Sequence, residues 1–191
     1  MGVQTVKKGS FDFTPNKLVP SIGFDRVGYV CVFHENCDYN YNDVDQQKDW
    51  LKLGGVAFSL FPWQKHENSA IVGFRHNPDS GLMELLDYWH IDGVTDRGIG
   101  REPIAFVHRK EKFVWWVRAN QSKKQVSINI RTKDGTVSKL RDFSKLSTIV
   151  TWPIGGYAGG DIKAVQEMSF SEEKVMRWGQ DGPVVEFTNW M

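Results

Sequence analysis

Apolar and polar residues alternate along most of this chain with a period of two, the repeat of a strand with one buried face rather than of a helix. Residues 28–33 (GYVCVF) form a short, nearly continuous apolar run. Residues 55–61 (GVAFSLF) and 69–75 (SAIVGFR) read as paired buried strands joined by a loop over 62–68. Residues 82–90 (LMELLDYWH) have a helix-compatible composition, but Pro78-Asp79-Ser80-Gly81 precedes them and Asp92-Gly93 follows. A segment bracketed so tightly by turn signals is predicted as a strand. Strands follow at 104–108, 112–119 (KFVWWVRA) and 126–132 (VSINIRT). Asp134-Gly135, between 126–133 and 136–140, predicts a hairpin with that dipeptide as its two-residue turn. Segments 148–152, 164–171 and 184–187 complete the series. Only residues 43–53 suggest a helix, with Val44, Trp50, Leu51 and Leu53 as a partial apolar face.

Roughly ten short strands, at about 8–15-residue spacing with turn signals between them, are the pattern of a sandwich or barrel. The predicted fold is all-β: a single jelly-roll β-sandwich of antiparallel strands with at most one short helix, filling residues 1–191 as one domain. Composition agrees. The chain is 40% hydrophobic and 13% aromatic, which argues against disorder. Its 24 Lys and Arg against 23 Asp and Glu argue against a globally basic nucleic-acid binder. No apolar run approaches the roughly 20 residues that span a bilayer. The first ten residues (MGVQTVKKGS) contain no apolar stretch of signal-peptide type, and Val6 stands where myristoylation wants Ser or Thr. Cys31 and Cys37 are too few for a disulfide scaffold and have no partners at zinc-site spacing. A protein made in a cytoplasm, and then incorporated into a virion in one reading, is the expectation.

The neutral sum hides an uneven distribution. Residues 35–53 are acidic, whereas residues 97–145 carry thirteen Lys or Arg against four acids. On alternating strands such basic residues cover a solvated face or guard edges, or else meet an anionic glycan, nucleic acid or acidic partner.

Four features have candidate chemistry. Asp38, Asn40 and Asn42 stand at the first, third and fifth positions of a calcium loop, and Asp49 at the twelfth. Asp43 occupies the place of the turn glycine, so a surface loop rich in side-chain-to-backbone turns is the competing expectation. The segment Trp152-Pro153-Ile154-Gly155-Gly156-Tyr157-Ala158-Gly159-Gly160-Asp161 lacks the Gly-Lys-Ser/Thr of a phosphate loop and the spacing of a dinucleotide fingerprint. It predicts either a bulge or crossover near a sheet edge, or a loop presenting Trp152 and Tyr157 to a ligand. The five histidines show no metal-ligand spacing. By strand parity Glu84, Tyr88 and His90 share a face, and Arg75-His76 with Tyr88-Trp89-His90 could line one concave face. An arginine, a histidine and a tyrosine there are what a polysaccharide lyase needs to neutralise a uronate, abstract its C5 proton and protonate the leaving oxygen. The acidic cluster of jelly-roll glucanases is missing, Glu84-Leu85-Leu86-Asp87 does not replace it, and there is no Gly-x-Ser-x-Gly. The last feature is the set of eight tryptophans. Trp115 and Trp116 are neighbours on one strand, so one faces the core and the other the surface or an interface. The others cluster near turns, where aromatic platforms suit sugar rings and protein contacts.

The Trp/Phe-rich strands, the Gly-Gly-Tyr-Ala-Gly-Gly turn and the following Ala164-Val165-Gln166-Glu167-Met168-Ser169-Phe170 resemble the C-terminal end of concanavalin-like jelly rolls from Bacteroidetes bacteria and their phages. Val165 and Glu167 stand where that pattern has Pro and Asp. The resemblance implies the jelly roll and leaves the activity open. The resulting expectation is a non-catalytic glycan-binding or adhesion module, carried on a larger assembly such as a phage particle, with Trp152, Tyr157, Trp89, Tyr88 and Arg75 as contacts. The alternative is a structural virion protein, a capsid-decoration or fibre-associated subunit, with no glycan ligand. A homo-oligomer burying Trp178 and Trp190 would favour that alternative, and a polysaccharide lyase or hydrolase ranks third. No cofactor is expected beyond a calcium ion at Asp38, Asn40, Asn42 and Asp49.

Overall fold

The structure, a computed structural model, describes residues 1–15, 19–41, 43–96, 101–158 and 163–185. In chain order the first strands are β1 (Gly2–Val6), β2 (Ser21–Ile22), β3 (Arg26–Phe33), β4 (Leu51–Ala57), β5 (Ser69–Asn77), β6 (Leu82–Ile91) and β7 (Val94–Asp96). They are followed by β8 (Ala105–Val107), β9 (Lys112–Asn120), β10 (Gln125–Thr132), β11 (Gly135–Asp142), β12 (Val150–Ile154), β13 (Met168–Lys174), β14 (Trp178–Gly179) and β15 (Gly182–Pro183). One antiparallel sheet runs β1-β13-β3-β9-β10-β11; the other runs β2-β12-β4-β5-β6-β7, with β8 also paired to β6. The jelly-roll sandwich expected from the alternating pattern is therefore present.

The core lies between the sheets because alternate residues of both are large and apolar. Phe33, Phe113, Trp115 and Phe170 from the first sheet meet Leu53, Val72, Phe74 and Trp89 from the second. The Phe33 ring lies 5.0 Å from Phe74 and 5.2 Å from Phe113, so stacked and tilted aromatics tie the layers. Trp116, as its adjacency to Trp115 requires, faces outward. It is nevertheless buried, because the β14–β15 hairpin folds back over it with Val114 and Val175. Gly28 makes room there: a Cβ would stand 3.0 Å from the Trp178 ring. Arg26 and Arg131 stack on Trp178 and Trp116. Trp178 is thus held within the chain, and Trp190 lies outside the described residues.

Several boundaries differ from the sequence reading. The predicted helix over 43–53 shrinks to one turn, α1 (Val44–Gln47), with Asp43 accepting the backbone N–H groups of Asp45 and Gln46. Leu51 and Leu53 belong to β4, where pairing with β5 and core burial outweigh a marginal helix. The β10–β11 turn is Lys133-Asp134, because Thr132 pairs with Gly135, and Gly135 itself takes the positive φ of 136°. The strand predicted over 164–171 begins at Met168. Val184 and Val185 follow β15 outside any strand, and 186–187 fall outside the described residues. The edge strands β1 and β7 have too little apolar alternation to be predicted. Among the described residues no helix is long and apolar enough to cross a membrane.

Candidate functional site

The outer face of the second sheet carries the site. Along β6 the residues Met83, Leu85 and Trp89 enter the core, which turns Glu84, Tyr88 and His90 outward. On β12 the same parity turns Trp152 and Ile154 outward. The chain then passes Gly155 and Gly156, and Tyr157 pairs with Lys52 in β4: each backbone N–H donates to the other's carbonyl, at 2.7 and 2.8 Å. A Cβ on Gly156 would come within 3.0–3.1 Å of the Phe13 side chain, tighter than an ordinary contact. The glycine segment thus leads from β12 to an isolated bridge with Lys52 of β4, next to which Tyr157 lines a cavity. Phe11 stacks on Tyr157 at 5.6 Å and 9°. Gly159, Gly160 and Asp161 lie outside the described residues.

These residues enclose a cavity of about 350 Å³ lined by Trp152, Tyr157, Tyr88, Ile71 and the polar side chains Lys52, Lys65, His66, His90 and Asp12. A volume of this order suits a small ligand. The Trp152 indole N–H donates to the Leu60 carbonyl at 3.4 Å, tying the ring to the β4–β5 loop. The Lys52 ammonium donates to the Trp50 carbonyl at 3.0 Å and sits 4.9 Å from the Tyr88 ring and 6.0 Å from the Tyr157 ring. Such an ammonium orients the two rings as well as offering charge. His90 Nδ1 contacts Thr95 Oγ1 at 2.9 Å, and its Nε2 faces His66 Nδ1 at 3.4 Å. Burial first, and the neighbouring Lys65 second, hold His66 below the usual imidazole range, which favours its neutral form. Burial and then the Asp12 charge raise the Tyr157 phenol, so it stays a hydrogen-bond donor.

Three of the five expected contacts, Trp152, Tyr157 and Tyr88, come together here. Trp89 does not: it is fully buried and its indole N–H is taken by Asp87. Arg75 does not either. It lies four residues along β5 from Ile71, about 13 Å at the usual strand rise, stacked on Trp50 at 4.2 Å and paired with Glu84. His76 lies on the opposite face of β5, 4% exposed, with its Nδ1 on the Tyr39 carbonyl at 2.9 Å. Arg75 and His76 therefore stand apart from Tyr88 and His90, whose rings lie 5.4 Å apart, and Glu84 is engaged by Arg75 and Asn77.

The described carboxylates of the candidate calcium loop have other partners. Asp38 pairs with Arg109 and His76, Asp43 caps α1, and Asp49 accepts the Trp50 N–H at 2.8 Å. Asn40 lines a shallow pocket with Gln47 and Asn77, while Asn42 lies outside the described residues. Among the described residues no cluster of three or more His, Cys, Asp or Glu could hold a metal.

Sequence reading missed Lys52, Lys65, His66, Asp12 and the exposed pair Phe61–Trp63. Parity from Trp50 would have placed Lys52 on the outer face, had the segment been read as a strand. Phe61 and Trp63 stack at 4.7 Å and 7° beside Pro62, which lines the cavity, and Trp63 is 71% exposed.

No protein-family model matches the chain, and no curated protein matches it. Among solved structures, a functionally unknown protein from Saccharomyces cerevisiae is similar with a TM-score of 0.53 at 11% identity, over 93% of this chain and 88% of the other. Lectin UEA-II complexed with galactose gives a TM-score of 0.41 at 11% identity, over 90% and 83%. A tail fibre protein from an E. coli phage gives 0.35 at 12% identity, over 98% of this chain and 21% of that one. The first likeness shows a shared fold; the other two are too loose to bear on site or function.

Proposed function

We propose that this protein is a non-catalytic binding module that holds a glycan on the outer face of its second sheet. One observation carries the reading: Trp152, Tyr157 and Tyr88 surround a concave cavity whose remaining lining includes amines, imidazoles and a carboxylate. Flat apolar rings beside convergent hydrogen-bonding groups match a sugar, which has apolar CH faces and a hydroxyl rim. A second reading, a subunit that docks on a protein neighbour in a larger assembly, is favoured by the exposed Phe61–Trp63 stack and Leu60.

Glycan-array screening followed by titration calorimetry tests the first. Tyr157→Ala and Trp152→Ala are each expected to weaken binding about tenfold, since an aromatic contact contributes about 1–1.5 kcal/mol. Arg75→Ala should leave affinity within twofold, because its guanidinium is held by Trp50 and Glu84 outside the cavity. A blank array from a folded protein that self-assembles would sink the glycan reading and leave the docking one.

A further inference from the structure

A second cavity lies inside the sandwich, where β1, β13 and β3 of one sheet diverge from β2, β12 and β4 of the other. Its volume is about 470 Å³, larger than that of the outer site. Phe24, Val27, Leu53, Val56, Trp115 and Pro153 give it apolar walls. Gly54 lets β4 approach the indole: a Cβ there would be 2.9 Å from Trp115 Cζ2.

One end is polar. Met168 and Phe170 of β13 enter the core, so Glu172 faces the same way. Gln4, opposite Phe170, joins it and donates to Glu172 Oε1 at 2.8 Å. Tyr29 stands on the same wall, stacked on Trp115 at 5.1 Å. Lys174 lines this cavity, yet among the described residues no ion pair includes Glu172. Burial raises the Glu172 carboxyl above its usual range, with the Gln4 hydrogen bond opposing. Burial, and then the Glu172 charge, push the Tyr29 phenol up to about 12, so it remains a donor. A carboxylate with one neutral donor and no counter-ion, at the end of an apolar chamber, is poorly compensated on its own and well matched to a cation carried in on an apolar body.

We propose that this inner cavity binds an amphiphilic amine, its hydrocarbon body against Trp115, Leu53 and Val56 and its ammonium group on Glu172. The site adjoins the outer cavity along Pro153, Ile154, Gly155 and Gly156, while Glu172 and Trp115 line the inner one and Tyr157 and Trp152 the outer. An alkyl carboxylate would meet like charge at Glu172, and an alcohol would donate one hydrogen bond to it without forming an ion pair.

Stability gives an independent readout of Glu172. Because its folded pKa is raised, its contribution to stability is present below the ordinary carboxylate range and is lost as pH rises through the folded value. Glu172→Gln keeps the Gln4 contact and is expected to raise Tm at about pH 8, with no gain near pH 4.

The binding test is calorimetry on the full chain at about pH 8 with decylamine, decanol and decanoate. Decylamine is expected to bind tightest and decanoate not at all. Glu172→Gln should weaken decylamine about tenfold, to the level of decanol, and Val27→Trp should abolish binding of both by filling the chamber. Tyr157→Ala, on the outer site, should leave decylamine unchanged. The proposal is overturned if none of the probes binds the wild-type protein, if decanoate binds as well as decylamine, or if Glu172→Gln leaves the order unaltered. The last criterion holds even if Val27→Trp does not fold.

Discussion

Gly55→Ala is expected to cost about 3 kcal/mol or more, or to prevent folding, although it adds a single methyl group. Gly55 lies in β4 between Ile71 of β5 and Ile154 of β12. Its Cβ would fall within the shell of the Ala70 carbonyl oxygen and 2.8 Å from Ile71 Cα, both backbone atoms of a central strand. A flexible side chain could swing away; a paired backbone cannot without breaking the β4–β5 ladder. A register shift between Lys52 and Gly54 lies just before this position. Gly73→Ala in β5 is the control. Its nearest neighbours would be 3.5 Å away, an ordinary contact, so a change within about 0.5 kcal/mol is expected. Urea titration of the two variants side by side measures the contrast, and equal midpoints would refute it.

Asp87→Ala is expected to cost about 3 kcal/mol, through a different mechanism. Asp87 is fully buried, accepts the Trp89 indole N–H at 2.6 Å and lies 3.2 Å from Arg101 and 3.7 Å from Arg141. Arg141 comes from β11 of the opposite sheet and also stacks over Trp89 at 5.9 Å. Removing the carboxylate leaves a buried N–H without an acceptor and two arginines without their shared counter-ion. Both arginines reach solvent, which keeps the cost toward the lower end of the range for broken buried pairs. Asp87→Asn retains an acceptor for Trp89 and should lose less. Chemical denaturation followed by tryptophan emission separates the three proteins; identical midpoints for wild type and Asp87→Ala would contradict this account.

These two residues show what the sequence could and could not reveal. The strands β5, β6, β9 and β10 were legible because long alternating runs sit between strong turn signals. Parity on β6 correctly placed Glu84, Tyr88 and His90 outward, and it also bars Tyr88 and Trp89 from one binding face, since neighbours on a strand point apart. The same rule separates Glu84 from Asp87: one lies outside beside Arg75, the other inside beside Trp89. The requirement for glycine at Gly55 was not legible, because it depends on the approach of the Ala70–Ile71 backbone of β5 rather than on any local pattern. Lys52 was hidden by the helical appearance of 43–53. The meeting of Tyr157 with Lys52 and Phe11 joins three distant parts of the chain, and nothing in local spacing announces it.

The β14–β15 hairpin over Trp116 gives the molecule a front and a back. The hairpin covers the outward face of the first sheet around Trp116, and the cavity beside Tyr157 lies on the outward side of the second. Copies fixed to a support through the roofed side would all look the same way. Met176, 82% exposed, follows Val175 of that cover and offers a point for such a tether.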